Sequence, residues 1–208
     1  MSLRIKICGI TNLADAEAAI AAGADALGFI LYEKSKRFIP IERAIEIVEK
    51  LPPFVQTVAV TVNATKEFTN LGWRKQLKNF GLAQLHGQES PVHVKAVSKY
   101  LPVIKVFPAD QAAAMSPESY AVSAFMLDTP SKDHGGTGQA FDWNLALAFK
   151  QRTTTPLILS GGLNPENVAK AIELVQPYAI DAASGVEASP GKKDHAKLRD
   201  FIQICKKF

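Results

Sequence analysis

Cys8 ends the run Arg4-Ile5-Lys6-Ile7-Cys8, and strand alternation puts Lys6, two residues earlier, on the same face. An ammonium beside a thiol favours the thiolate and lowers its pKa from the unperturbed value of about 8.5, the change a cysteine needs to act as a base near neutral pH. Asp128 closes a second apolar run, Ala124-Phe125-Met126-Leu127, and an apolar setting suits a carboxyl group to general-acid work. Two glycine turns, Ser160-Gly161-Gly162 and Ser184-Gly185, also follow apolar runs. Backbone N–H groups from two such turns can converge on one phosphate. Arg37, after Ser35-Lys36, offers a planar donor fork suited to a carboxylate. His86 adds a polar contact, and Asp181 is a carboxylate with which Lys6 can pair. A base, an acid, a phosphate cradle and a carboxylate grip together imply proton-transfer chemistry on a small phosphorylated anion.

These residues need a scaffold that brings distant segments to one place. Short apolar, β-rich runs recur at residues 4–8, 26–31, 55–62, 82–85, 102–107, 123–127, 156–160 and 179–183, about 25 residues apart. Helical signals fill most of the intervals. Asn12 is an N-cap before Leu13, Ala16 and Ile20, and Gly23 closes that helix. Ser90-Pro91 and Asn164-Pro165 each set a capping side chain before a proline at the first helical position. The weakest helical segment is 110–119, where Ala112, Ala113 and Ala114 run into the Ser116-Pro117 break, so a degenerate fifth helix is expected. Alternating strands and helices imply parallel strands, in either an open doubly wound sheet or a closed barrel. Eight repeats favour an α/β, single-domain (β/α)8 TIM barrel over residues 1–208, at the short end of the size range for that fold. In such a barrel the residues above all lie at strand C-terminal ends, where the active site belongs, and the two glycine turns follow strands seven and eight, the usual phosphate position. The glycine-rich segment Ser131 to Gly138 has a composition that suits a loop covering substrate and a plain flexible connector equally.

Composition narrows the class further. A hydrophobic fraction of 47% excludes a disordered chain. A net charge of +4, spread over 21% charged residues, lacks the clustering of a nucleic-acid binder and fits an anionic small ligand. Two cysteines without CxxC spacing, and no second histidine at ligand spacing from His86, lead us to expect no metal, and Cys8-Gly9-Ile10-Thr11 in place of a Gly-x-Gly-x-x-Gly turn weighs against a dinucleotide cofactor. The first residues carry charges where the apolar part of a signal peptide would lie, and no stretch has the length of a membrane span. A cytoplasmic protein without membrane partners is expected, as a monomer or homodimer.

The series Lys6-Ile7-Cys8-Gly9, Ser35-Lys36-Arg37, Gln84-Leu85-His86-Gly87, Leu127-Asp128-Thr129 and Gly135-Gly136-Thr137-Gly138 continues through Phe141-Asp142-Trp143 and Ser160-Gly161-Gly162-Leu163. It ends with Asp181-Ala182-Ala183-Ser184-Gly185-Val186-Glu187 and Pro190-Gly191-Lys192-Lys193-Asp194. In kind and order this resembles the phosphoribosylanthranilate isomerases of tryptophan biosynthesis. The resemblance implies an Amadori rearrangement of N-(5-phosphoribosyl)anthranilate to 1-(2-carboxyphenylamino)-1-deoxyribulose 5-phosphate, without metal or redox cofactor. It implies that Cys8 is the general base at ribose C2 and Asp128 the general acid at the ring oxygen. Arg37 is then expected to bind the anthranilate carboxylate, and Gly161, Gly162, Ser184 and Gly185 the phosphate. Two positions depart from the family's frequent pattern: Lys36 replaces a proline, and Ala183 a serine. Two other readings of the same residues are a histidine-pathway aminoaldose isomerase and a non-catalytic phosphate-binding barrel. The first is expected to use two aspartates, which Cys8 argues against.

Overall fold

The computed structural model describes residues 2–64, 70–130 and 140–208. Its strands are β1 (Arg4–Cys8), β2 (Ala26–Ile30), β3 (Gln56–Thr61), β4 (Leu82–Leu85), β5 (Val103–Pro108), β6 (Ala124–Asp128), β7 (Leu157–Leu159) and β8 (Ala179–Ala182). They pair in parallel in chain order, and β8 closes onto β1 with Lys6 opposite Asp181. Alternation sorts each strand into two faces. Inward residues such as Val58, Val60, Ile104, Val106, Met126 and Ile158 fill the barrel, with Cys8 packed among them. Outward residues such as Ile5, Ile7, Leu27, Phe125 and Leu127 join the helices in the outer core. The alternation that puts these apolar residues outward therefore turns Lys6, Cys8 and Asp128 inward.

The described helices are α1 (Leu13–Ala22), α2 (Ile41–Val48), α3 (Leu71–Leu77), α4 (Pro91–Val97), α5 (Asn144–Lys150), α6 (Val168–Val175) and α7 (His195–Cys205). Asn12 caps α1 by accepting the Asp15 N–H, and Gly23 ends it in the left-handed conformation. Ser90 accepts the His93 N–H ahead of Pro91 at the start of α4. Both follow the sequence expectation. Asn164 does not: its side chain accepts from Glu166 and Asn167, which holds a separate turn, and α6 begins only at Val168. The fifth helix is replaced by 3₁₀ segments at Ala109–Ala114 and Pro117–Ser119. Arg152, just beyond α5, donates to the carbonyls of Ala112 and Ala113 at 3.0 Å, satisfying groups that a longer helix would have paired. The segment 131–138 lies outside the described residues. Among those described, no helix is long and apolar enough to cross a membrane.

A buried ion pair ties the loops after β3 and β4 to β5. Lys105 Nζ lies 2.7 Å from Glu89 Oε2 and 2.7 Å from the Gly87 carbonyl, while Glu89 Oε1 accepts the Asn63 and Gly87 N–H groups. Burial disfavours the Glu89 carboxylate, yet Lys105 and these donors more than offset that and hold its pKa below the ordinary 4.5. Stability from this group is therefore complete above pH 4.5 and falls as pH drops through the lowered value. Glu89→Gln leaves the Lys105 charge buried without its counter-ion and should cost about 3 kcal/mol, read by urea unfolding at pH 7. Its unfolding free energy should also decline less than the wild type's between pH 5 and pH 3; parallel acid profiles would contradict the assignment.

Candidate active site

Around the rim of the barrel, Asp128 ends β6, Ser160-Gly161-Gly162 follow β7, Ser184-Gly185 follow β8 and Cys8 ends β1. The glycine turns therefore stand between the carboxyl and the thiol. Gly161 and Gly162 have φ of +88° and +63°, a region that side-chain-bearing residues rarely enter. A Cβ on Gly161 would stand 2.6 Å from the Thr129 nitrogen and 3.0 Å from Asp128 Oδ1. A Cβ on Gly185 would lie 2.0 Å from the Leu163 carbonyl oxygen. The absence of side chains lets the two turns touch each other and lets the first touch the end of β6.

Cys8 is 5% exposed, and Lys6 and Asp181 are buried below it. Lys6 Nζ donates to Asp181 Oδ1 at 2.7 Å, and Ser160 Oγ lies 3.2 Å from Asp181 Oδ2, a chain across β1, β8 and β7. Burial disfavours the Lys6 ammonium, but Asp181 and Cys8 offset this and raise its pKa above 10.5, so it stays charged. The expectation that Lys6 brings the thiol below its ordinary range is corrected by the same geometry. Burial pushes the Cys8 thiol above 9.0; Lys6 and Lys193 oppose the rise, and Asp181 adds to it. Lys6 neutralises a carboxylate as well as facing the thiol, so only part of its charge favours the thiolate. Gly28 on β2 completes this corner, since a Cβ there would lie 2.7 Å from Cys8 Sγ.

Asp128 is 7% exposed. Its Oδ1 accepts the Thr129 N–H at 2.7 Å, and Oδ2 lies 3.2 Å from His86 Nε2. Gln84 Nε2 is 3.3 Å from His86 Nδ1, so the imidazole bridges a buried amide and the carboxyl group. A cavity of ≈ 470 Å³ opens beside them, walled by Val106, Phe107, Pro108, Met115 and Tyr120, within the usual size of a small-molecule site.

Arg37 reaches the mouth from the loop after β2, with its side chain 11% exposed. It does not wait with a whole fork free, as its sequence position suggests. Nε and Nη2 donate to Glu187 at 2.9, 3.0 and 2.7 Å, which uses the side-on fork and leaves the Nη1/Nη2 end for a ligand. Glu187 and Lys193 belong to the hairpin of β9 (Glu187–Ser189) and β10 (Lys192–Lys193). Neither residue has a role in the sequence reading, because nothing in their spacing announces that they meet Arg37 and Cys8. Among the described residues no cluster of His, Cys, Asp and Glu side chains could hold a metal ion.

A family model for N-(5′-phosphoribosyl)anthranilate isomerase matches residues 5–204. The N-(5′-phosphoribosyl)anthranilate isomerase of Citrifermentans bemidjiense is 47% identical over 206 residues, 98% of this chain and 97% of that relative. A phosphoribosyl anthranilate isomerase solved with reduced 1-(o-carboxyphenylamino)-1-deoxyribulose 5-phosphate superposes with a TM-score of 0.85 at 41% identity, covering 99% of this chain and all of that one. Monomers made from the dimeric Thermotoga maritima isomerase give a TM-score of 0.85 at 39% identity, with 99% and 100% of the chains covered.

Proposed function

From its place in the N-(5′-phosphoribosyl)anthranilate isomerase family, to which the chain belongs, we propose how this barrel works: Cys8 and Asp128 drive an Amadori rearrangement on a substrate anchored between them. The chain is a phosphoribosylanthranilate isomerase of tryptophan biosynthesis. The observation that carries the assignment of roles is the rim order, with the touching glycine turns of β7 and β8 between the Asp128 carboxyl and the Cys8 thiol. A phosphate bound by the N–H groups of Gly161, Gly162, Ser184 and Gly185 sets the attached ribose between acid and base. The end-on fork of Arg37 receives the anthranilate carboxylate.

Protonated Asp128 gives its proton to the ribose ring oxygen as the C1–O bond breaks and the nitrogen lone pair forms a C1=N bond. The Cys8 thiolate then removes the C2 proton, and that electron pair forms C1=C2 while the C1=N electrons return to nitrogen. Protonation of C1 and loss of the C2 hydroxyl proton give the ketose, and restore a thiolate and a carboxylic acid. The sequence is redox-neutral and requires no added reductant or oxidant. Lys6 balances Asp181 beneath the base, and His86 orients Asp128. We place this chemistry in one barrel domain of the cytoplasm, as a monomer or homodimer in which each chain carries a whole site.

Turnover of freshly generated N-(5-phosphoribosyl)anthranilate by the purified protein tests the activity, with inorganic phosphate as a competitive inhibitor. A folded protein that binds phosphate without turnover would overturn the reading. Ala183 continues the inward series Ala179, Asp181 and packs against the barrel interior, so it faces the mouth without a hydroxyl to offer. Ala183→Ser should tighten phosphate inhibition roughly tenfold, the worth of about 1.5 kcal/mol for one hydrogen bond to a charged group. An unchanged inhibition constant would exclude that position from the cradle.

A further inference from the structure

Lys193 is a wholly enclosed cation, with its side chain 0% exposed. A buried ammonium must place its three N–H groups, and Lys193 places them on three separate parts of the site. Nζ lies 2.6 Å from the Cys8 carbonyl, 3.2 Å from the Ala183 carbonyl and 3.0 Å from Glu187 Oε1. The first belongs to the strand that bears the base and the second to the end of β8, next to the phosphate turn. The third belongs to the carboxylate that chelates Arg37. The main chain of Lys193 is tied down as well, because its backbone N–H donates to Asp15 Oδ2 at 2.9 Å. Asp15 Oδ1 in turn lies 2.8 Å from His195 Nε2. The hairpin is thereby fastened to α1.

We propose that Lys193 is a positioning residue for this reaction: it holds the Cys8 main chain against the end of β8 and, through Glu187, sets the direction of the Arg37 fork. Base and carboxylate grip then keep one spacing across the substrate. The inference rests on the roles proposed above for Cys8 and Arg37. Among the described residues, the charges that act on the thiol are the ammonium groups of Lys6 on β1 and Lys193 on β10 and the carboxylate of Asp181 on β8. Glu187 and Arg37 stand behind Lys193. Lys193 is thus placed to act on the titration of Cys8, whereas Glu187 acts on Arg37, and the two losses should be separable.

The experiment measures alkylation of Cys8 by iodoacetamide as a function of pH in a Cys205→Ser background, with steady-state constants beside it. Lys193→Met should slow alkylation about tenfold along the rising part of the pH profile, equivalent to about one pH unit. Lys193→Arg, which keeps the charge, should stay near the parent rate. Glu187→Gln should raise KM about tenfold with little change in the alkylation profile. A folded Lys193→Met protein with the parent profile, or a Glu187→Gln protein with the parent KM, would overturn the proposal. If Lys193→Met does not fold by circular dichroism, Lys193→Gln takes its place on the same criterion. Alkylation needs no substrate, so its failure is distinct from failure of the isomerase reading, which would appear as loss of turnover in the parent protein.

Discussion

Cys8→Ala is expected to lower kcat/KM for N-(5-phosphoribosyl)anthranilate by about 10²–10⁴-fold, the usual contribution of a positioned general base. The thiol is buried at the end of β1 beside Lys6 and against Gly28, and an alanine fills the same space less the sulfur. Folding should survive with a loss of about 1 kcal/mol, so the rate loss reports chemistry. The wild-type profile should carry the mark of this thiol. Because burial holds its pKa above 9.0, the thiolate fraction still grows as pH rises through neutrality, and the rate at which iodoacetamide alkylates this thiol in the free protein should climb with pH over that range. In Cys8→Ala the climb should disappear. A residual activity within tenfold of wild type would mean that another group takes the C2 proton.

Asp128→Asn is expected to cost a similar 10²–10⁴-fold, for the complementary reason. The amide is isosteric, and its oxygen can still accept the Thr129 N–H, so the end of β6 keeps its shape. An amide cannot give a proton to the departing ring oxygen, and ring opening then depends on solvent. Substrate affinity should change little, because the phosphate turns and Arg37 are untouched. Measured constants should therefore show a fall in kcat with KM within a fewfold of wild type. A large rise in KM with kcat retained would recast Asp128 as a binding residue.

Much of the scaffold is legible in the sequence, because local chemistry fixes it. Asn12 and Gly23 bracket α1, Ser90-Pro91 opens α4, and the alanine run broken by Ser116-Pro117 becomes 3₁₀ turns. Asn164-Pro165 has the same local signal as Ser90-Pro91 but serves a separate turn, since Asn164 spends its side chain on Glu166 and Asn167. A capping pattern alone does not say how far the helix lies beyond it. The positions of Cys8, Asp128 and the glycine turns follow from strand alternation and strand ends, which are local as well. Apart from the Lys6–Asp181 pair, what the sequence does not disclose is long-range pairing. Arg37 and Glu187 are 150 residues apart and Lys193 lies 185 residues from Cys8, so neither the occupied fork nor the ammonium on the Cys8 carbonyl has a signature in spacing. The expected fall in the thiol's pKa failed for a related reason. Alternation places Lys6 beside Cys8 and Asp181 is already a partner for Lys6 in the sequence, but the burial that outweighs Lys6 appears only once the barrel closes.

The central claim is that Asp128 opens the ring and Cys8 then removes the C2 proton. Single-turnover rates with substrate deuterated at ribose C2 test it most directly, in Cys8→Ser and Asp128→Asn side by side. A several-fold primary isotope effect is expected in Cys8→Ser, where removal of the C2 proton limits the rate. Almost none is expected in Asp128→Asn, where ring opening limits. The reverse pattern, or an equal effect in both variants, would contradict the assignment of base and acid.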